Sequence, residues 1–160
     1  MATRAEALAA RIEQGATELA AFAESLTDQE WRHGVHPDGR TVGVVIHHVA
    51  SVYPIEVDLA KAIGSGKAVT EVTWAAVRDL NAGHAKDNAG ISKADAIKAL
   101  RDNARAAAAA VRGFTDAQLD TAAPFGLAYD APVTAQFVIE DHALRHSWHH
   151  RAKIRASLGR

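Results

Sequence analysis

The 160-residue sequence contains 18 Lys and Arg against 19 Asp and Glu, which gives a formal net charge of −1 at pH 7. A chain of this length is expected to form a single domain, spanning residues 1–160, that buries a core without disulfides. The near-neutral charge gives no electrostatic reason to bind nucleic acid or acidic membranes, so we expect neither partner. No cysteine is present, which excludes thiolate ligands and is consistent with a reducing compartment.

The N-terminal sequence, Met1-Ala-Thr-Arg-Ala-Glu, lacks the apolar region of a secretory signal. We also expect no stretch of the chain to approach the length needed to span a membrane. The sequence therefore predicts a cytoplasmic protein.

The composition favours an all-α fold, because alanine is abundant and only four prolines occur. Apolar residues at helical spacing predict a first helix over residues 3–26. Thr41 is a suitable N-cap for a second helix over residues 41–64. Pro54 lies inside this helix and is expected to kink it, because proline removes one backbone hydrogen bond and clashes with the carbonyl of Ala50.

The second half of the chain predicts three more helical segments. A loop over residues 64–72 leads to a short extra segment over residues 73–87. A Ser-x-x-Asp sequence resembling a capping box opens the next helix, over residues 92–113. The linker over residues 115–132 is expected to be irregular apart from one turn. Residues 133–158 are predicted to form one uninterrupted final helix.

Four of the nine histidines lie close together near the C-terminus, at His142, His146, His149 and His150. Side chains four residues apart stack on the same side of a helix, so His146 and His150 can direct both imidazoles at one point. This spacing is typical of a two-histidine metal site. His142 and His149 are expected to be neighbours of the site.

His48 is the polar member of an otherwise apolar stripe on the second helix, formed by Val44, Val45, Val52, Ile55, Leu59 and Ile63. A buried imidazole needs a partner, because leaving it unpaired costs about 1–3 kcal/mol. A metal ion shared with His146 and His150 would satisfy it, so we predict His48 as the third ligand. The alternative is that each histidine bonds internally to a carbonyl or a carboxylate and no metal binds.

Weaker candidates for a catalytic role lie on the second helix and on the extra segment. Glu56 is the nearest acidic residue to the predicted pocket, where a clear general base is otherwise missing. The full set of weak candidates is Tyr53, Glu56, Asn81 and His84.

Four further residues are expected to have structural positions in the core or at the surface and no role in the site. Trp74 and Val77 share the helix face of Asn81 and His84, and we interpret both as core residues. His33 and His36 lie in a loop and are expected at the surface.

The final helix carries a second apolar face opposite the histidines, formed by Phe137, Leu144 and Trp148. This face requires a partner, which is either another helix of the same chain or a second subunit.

Three short motifs together resemble the DinB/YfiT-like superfamily. They are Trp31, then Gly39-Arg-Thr-Val-Gly43 leading to His48, and finally His146-Ser-Trp-His-His150-Arg-Ala-Lys-Ile154. The resemblance implies a four-helix bundle and metal ligands at His48, His146 and His150. Homodimers are common in the family, which agrees with a dimer through the Phe137/Leu144/Trp148 face.

The chain departs from the family pattern at two places. Many relatives have Gly-Gln where Ala152-Lys153 stands, and a Glu often occupies the position of Val44. Neither difference removes a predicted ligand.

The family resemblance implies several functions. It implies a small-molecule substrate and chemistry that either transfers a low-molecular-weight thiol or hydrolyses the substrate. Three histidines suit Zn²⁺, Ni²⁺ or Fe²⁺. The alternative is a non-catalytic metal- or ligand-binding bundle of the stress- or damage-response type. The sequence contains no phosphate-binding glycine loop and no nucleophile elbow.

Overall fold

A computed structural model describes residues 3–160, and four long helical runs dominate it. The first three cover residues 4–24, 42–64 and 93–112, and the fourth spans residues 135–158. In chain order the helices are α1 (Arg4–Glu24), α2 (Asp28–Trp31), α3 (Val42–Gly64), α4 (Trp74–Asp87), α5 (Lys93–Arg112), α6 (Asp116–Asp120), α7 (Ala135–Val138) and α8 (Arg145–Leu158). This architecture confirms the predicted helical bundle, although short strands accompany it.

Hydroxyl side chains fix the starts of the main helices. Thr41 accepts a hydrogen bond from the backbone N–H of Val44, which starts α3 where the sequence predicts. Ser92 caps α5 through the N–H of Asp95. The Asp95 carboxylate accepts a hydrogen bond from the Ser92 hydroxyl, so the pair differs from a reciprocal capping box.

The core lies between the four long runs, with α5 packed against both α1 and α3 and α8 closing the opposite side. Fully buried aliphatic side chains from every run meet there, and they include Ile12, Leu19, Ile46, Leu100 and Ile154. Burial of such side chains contributes about 1.5–3 kcal/mol each, so this shared core holds the site-bearing helices α3 and α8 in place.

Pro54 is accommodated inside α3 by a side chain from α5. Proline has no N–H to donate to the carbonyl of Ala50, four residues earlier. The Asn103 side-chain amide donates to that carbonyl at 2.9 Å. The helix therefore continues from Val42 to Gly64 without leaving this buried acceptor unpaired.

By length and composition alone, α3 could cross a membrane, with a mean hydropathy of 1.2 over its best window. The expectation that no stretch approaches this length is therefore wrong. In the bundle 67% of that window is buried. This burial is that of a central core helix, which explains its apolar composition.

The linker before the last helix contains a small β-hairpin that the sequence does not predict. Strands β1 (Ala122–Pro124) and β2 (Pro132–Thr134) pair antiparallel around a 3₁₀ turn at Gly126–Ala128. Strands of three residues are too short to show an alternating pattern. Gly126 packs so closely that a Cβ there would lie 2.3 Å from the Val72 carbonyl oxygen. This contact ties the hairpin to the loop before α4.

The final helical run differs from the predicted single α-helix in two ways. It begins at Ala135 rather than at residue 133, because residues 132–134 form β2. Residues Ile139–Leu144 then form a π-helix between α7 and α8. A π-helix turns less per residue than an α-helix. A helical wheel drawn at 100° per residue therefore does not align the residues before the π-helix with those after it.

The predicted second apolar face is used mostly within the same chain. Leu144 is buried, and Trp148 packs beside Gly15 of α1. Phe137 stays 44% exposed. Another helix of the chain thus covers much of this face, and homodimer formation through it remains a prediction.

Gly43 allows the first turn of α3 to approach the Trp31 ring. A Cβ at Gly43 would lie 2.6 Å from this ring, whose Nε1 donates to the Ile91 carbonyl. We expect Gly43→Ala to lower the free energy of unfolding by about 1–3 kcal/mol, because the rigid ring cannot move freely. Gly83→Ala, in open space on α4, is the matched control and should be neutral or stabilising by up to about 1 kcal/mol. Equal effects in urea titrations would contradict this account.

Candidate metal centre

Three histidines from two helices meet at one side of the bundle core. One ring nitrogen from each of His48, His146 and His150 lies within 4.8 Å of the other two. The His146 and His48 Nε2 atoms are 3.1 Å apart. His48 and His150 are buried, and His146 is partly buried. The structure thus brings together the three residues that the sequence predicts as ligands.

The π-helix does not disturb the spacing of these ligands, because it ends at Leu144. His146 and His150 both lie in α8, one turn apart, with ring centroids separated by 4.7 Å. The His48 ring lies 5.1 Å from that of His146 and 5.4 Å from that of His150. The arrangement leaves one imidazole from α3 facing two from α8.

Glu56 orients the His146 ring. Its Oε1 lies 2.7 Å from His146 Nδ1, and its side chain is only 6% exposed. A neutral imidazole that donates through Nδ1 carries its lone pair on Nε2, the atom nearest His48. The second oxygen, Glu56 Oε2, is buried and has no hydrogen-bond partner within residues 3–160.

Burial keeps the His48 and His150 imidazoles neutral. Desolvation, helped by the neighbouring His146 and Arg40, lowers the pKa of His48 to about 2. Desolvation, with His146 and His48 nearby, also lowers the pKa of His150 strongly. Neutral imidazoles have the lone pairs that metal ions bind, so the protonation state suits metal coordination.

The geometry passes a simple test for a shared divalent ion. Two imidazole nitrogens bound to one zinc ion at tetrahedral angles lie about 3.3 Å apart, given Zn–N distances of about 2.0–2.1 Å. The Nε2 atoms of His48 and His146 are already at 3.1 Å. An Nδ1 donated to a carboxylate, as in His146 and Glu56, is the usual support of a metal-bound histidine. The residues present therefore fit such an ion.

Of the four weaker catalytic candidates, two line the cavity and two do not. Glu56 adjoins the three histidines, and Asn81 lines the adjoining cavity. The Tyr53 hydroxyl is buried 2.6 Å from Ser147 Oγ and does not line the cavity. His84 Nε2 lies 2.9 Å from His47 Nδ1, with the two rings stacked, and desolvation lowers the pKa of both.

His142 and His149 lie beside the three histidines, as predicted for neighbours. Both line the cavity. His142 belongs to the π-helix and meets the Phe125 ring edge-on. The His149 ring adjoins that of His150. The remaining two histidines, His33 and His36, are exposed at the surface.

The histidine cluster opens into a cavity of about 560 Å³, a volume typical of small-molecule sites. Helices α3, α4 and α8 form most of its walls. Its lining residues are Arg40, His48, Val52, Ile55, Glu56, Leu59, Glu71, Val72, Trp74, Ala76, Val77, Leu80, Asn81, Leu127, Asp141, His142, Arg145, His146, His149 and His150.

Several apolar residues face this cavity instead of the core. Trp74 is 46% exposed and Val77 only partly buried, so their interpretation as core residues is wrong. No residue of α4 is buried. Ile55, in the stripe around His48, is 42% exposed for the same reason. An apolar helix face usually packs against another element of the fold, but these side chains border an open cavity.

Four charged groups at the cavity were not among the predicted site residues: Arg40, Glu71, Asp141 and Arg145. Arg40 bonds to Asp38 through Nε, and Arg145 pairs with Asp141. The Gly39-Arg-Thr sequence before α3 was the available signal for Arg40. No sequence signal was available for Asp141 and Arg145, because their positions depend on the π-helix.

Comparison with protein-family models places most of the chain in one family. The model described as the DinB superfamily matches residues 11–154. The chain belongs to the DinB superfamily. A search of curated proteins found no match.

A solved structure shows the same fold as this DinB-superfamily protein. It is YfiT from Bacillus subtilis, described as a probable metal-dependent hydrolase with an unusual four-helix bundle topology. The TM-score is 0.75 at 19% sequence identity, over 99% of this chain and 91% of YfiT. At this identity the likeness establishes the shared fold.

Proposed function

We propose that this protein is a metal-dependent hydrolase of a small ester or amide. The observation that carries the proposal is the position of Glu56, which orients His146 with one carboxylate oxygen and leaves the other unpaired and buried. The description of YfiT as a probable metal-dependent hydrolase supports the same reading. We propose Zn²⁺, Ni²⁺ or Fe²⁺ as the metal, held by His48, His146 and His150.

The residues of the chain have distinct parts in this chemistry. When bound by three neutral imidazoles, a divalent ion supplies Lewis acidity and lowers the pKa of water. Glu56 Oε2 is the group available to accept a proton from the attacking water, since its other oxygen holds His146. The cavity of about 560 Å³ leaves room for a small substrate beside these groups.

A second candidate is the transfer of a low-molecular-weight thiol to an electrophile. The nearby Arg40 favours it, because a guanidinium stabilises the thiolate form of an incoming thiol. A non-catalytic metal- or ligand-binding bundle is the third possibility. It predicts metal binding without turnover of either substrate type.

Untagged protein loaded with each metal distinguishes these functions. We expect hydrolysis of small esters or amides that disappears after chelation and in His150→Ala. Conversion of an electrophile only when a thiol is added would favour thiol transfer. Stoichiometric metal with neither reaction would contradict both enzymatic proposals. Cytoplasmic location and dimer formation remain separate predictions.

A further inference from the structure

The cavity is polar at one end and apolar at the other. The His48 to Leu59 segment of α3 runs along it, a span of about 16 Å at the helical rise of 1.5 Å per residue. Arg40 precedes the start of α3, on the His48 side. His84, near the end of α4, meets His47, so Trp74 at the start of α4 lies toward the far end, where its indole donates to the Leu127 carbonyl. The cavity thus has a defined direction along α3.

Arg40 has unused hydrogen-bonding capacity at the polar end. Its side chain is 14% exposed and its Nε bonds to Asp38. Within residues 3–160 neither terminal guanidinium nitrogen has a hydrogen-bond partner, and Nη1 is fully buried. Nη1 is closed off by its burial, whereas Nη2 keeps accessible surface, so an unpaired donor on a charged group is available there to a ligand that accepts from it. The planar guanidinium matches a carboxylate especially well.

The other cation of the cavity, Arg145, lies next to His146 in α8 and differs from Arg40 in its exposure. Each arginine pairs with an aspartate through Nε, but the Arg145 side chain is 55% exposed, against 14% for Arg40, so its charge is better screened by water. At the far end, Glu71 is exposed and adds a negative charge next to Val72. An anionic group is therefore attracted to the Arg40 end and disfavoured at the other.

Large apolar side chains form the wall leading away from the histidines. Ile55, Trp74 and Leu80 are 42%, 46% and 49% exposed, and all three line the cavity. Covering such a surface with an apolar ligand is favourable at about 25 cal/mol per Å². An extended apolar chain along α3 would cover all three.

We propose that the substrate is an acyl conjugate of a small carboxylic acid, such as an N-acyl amino acid. Its carboxylate binds Arg40, its amide or ester bond lies at the histidines, and its apolar acyl chain lies along Ile55, Leu80 and Trp74. This substrate class rests on the proposed hydrolase function. The oxygen of water bonds to the acyl carbon, the C–N or C–O bond breaks, and the leaving nitrogen or oxygen takes a proton. The products are a fatty acid and an amino or hydroxy acid.

Binding to the metal-stripped full-length chain tests the ligand class separately from hydrolysis. N-acylglycines from acetyl to decanoyl are titrated by calorimetry, after circular dichroism has confirmed the helical fold. We expect affinity to rise about two- to fourfold per added methylene. The matching N-ethyl amides, which lack the carboxylate, should bind at least about tenfold more weakly.

Substitutions assign these preferences to residues. Arg40→Met should abolish the preference for carboxylate over N-ethyl amide, whereas Arg145→Met in the same cavity should retain it. Leu80→Ser should reduce the dependence on chain length, and Ala82→Ser, exposed on the same helix and outside the cavity lining, should not.

Three results would overturn the proposal: equal binding of glycine conjugates and N-ethyl amides to the wild-type chain, no dependence on chain length, or unchanged carboxylate preference in Arg40→Met. Absence of hydrolysis by the metal-loaded chain would contradict the hydrolase function and leave these binding results intact.

Discussion

Replacing His48, His146 or His150 with alanine is expected to weaken binding of Ni²⁺ or Zn²⁺ by more than about 100-fold. Loss of a group that merely supports a ligand costs about 10–100-fold, and loss of a ligand itself should cost more. Each substitution removes one of three nitrogens that lie within 4.8 Å of one another. Competition with a chromophoric chelator, on protein purified without a histidine tag, measures the affinity.

Two controls separate this site from unspecific binding by a histidine-rich chain. His33→Ala removes an exposed histidine, and His149→Ala removes a cavity histidine outside the three-residue group. Both should retain affinity within about tenfold. If His33→Ala matched the loss in His48→Ala, metal would bind at the surface and the site would be wrong.

Glu56→Gln is expected to lower both metal affinity and turnover. The amide oxygen can still accept from His146 Nδ1, but the negative charge is lost, so metal affinity should fall by about 10-fold. If Glu56 Oε2 accepts the proton from water, turnover at saturating metal should fall by about 10²–10⁴-fold. Metal titrations and initial rates on the same preparations measure the two effects.

Glu71→Gln is the matched control, since Glu71 lines the same cavity but is exposed. It should change neither metal affinity nor turnover by more than about threefold. Full turnover of metal-saturated Glu56→Gln would exclude this carboxylate as the proton acceptor. A residue elsewhere on the cavity wall would then have to accept the proton from water.

The three histidines were predictable because their sequence pattern reflects local geometry. His146 and His150 are one helical turn apart, and His48 interrupts an apolar stripe, so both signals survive in the folded chain. The pairing of Glu56 with His146 was not predictable, because it depends on the position of α8 along the axis of α3 in the folded bundle. Glu56 lies 2.7 Å from His146 only in this relative position of the helices.

Two structural features had no signature that sequence reasoning could use. The π-helix at Ile139–Leu144 is defined by backbone hydrogen bonds, and no residue type specifies it. The amphipathic pattern of α4 correctly indicates an apolar face. It cannot tell whether that face meets a packed core or a cavity, and Trp74 was misplaced for this reason.

Anomalous scattering from crystals of the metal-loaded protein tests the central claim most directly. Data collected at the absorption edge of the bound metal locate it without assumptions about its ligands. The account predicts one peak per chain, about 2.0–2.2 Å from a ring nitrogen of each of His48, His146 and His150. A peak at other residues, such as His47 and His84, or no peak in protein that retains stoichiometric metal, would contradict it.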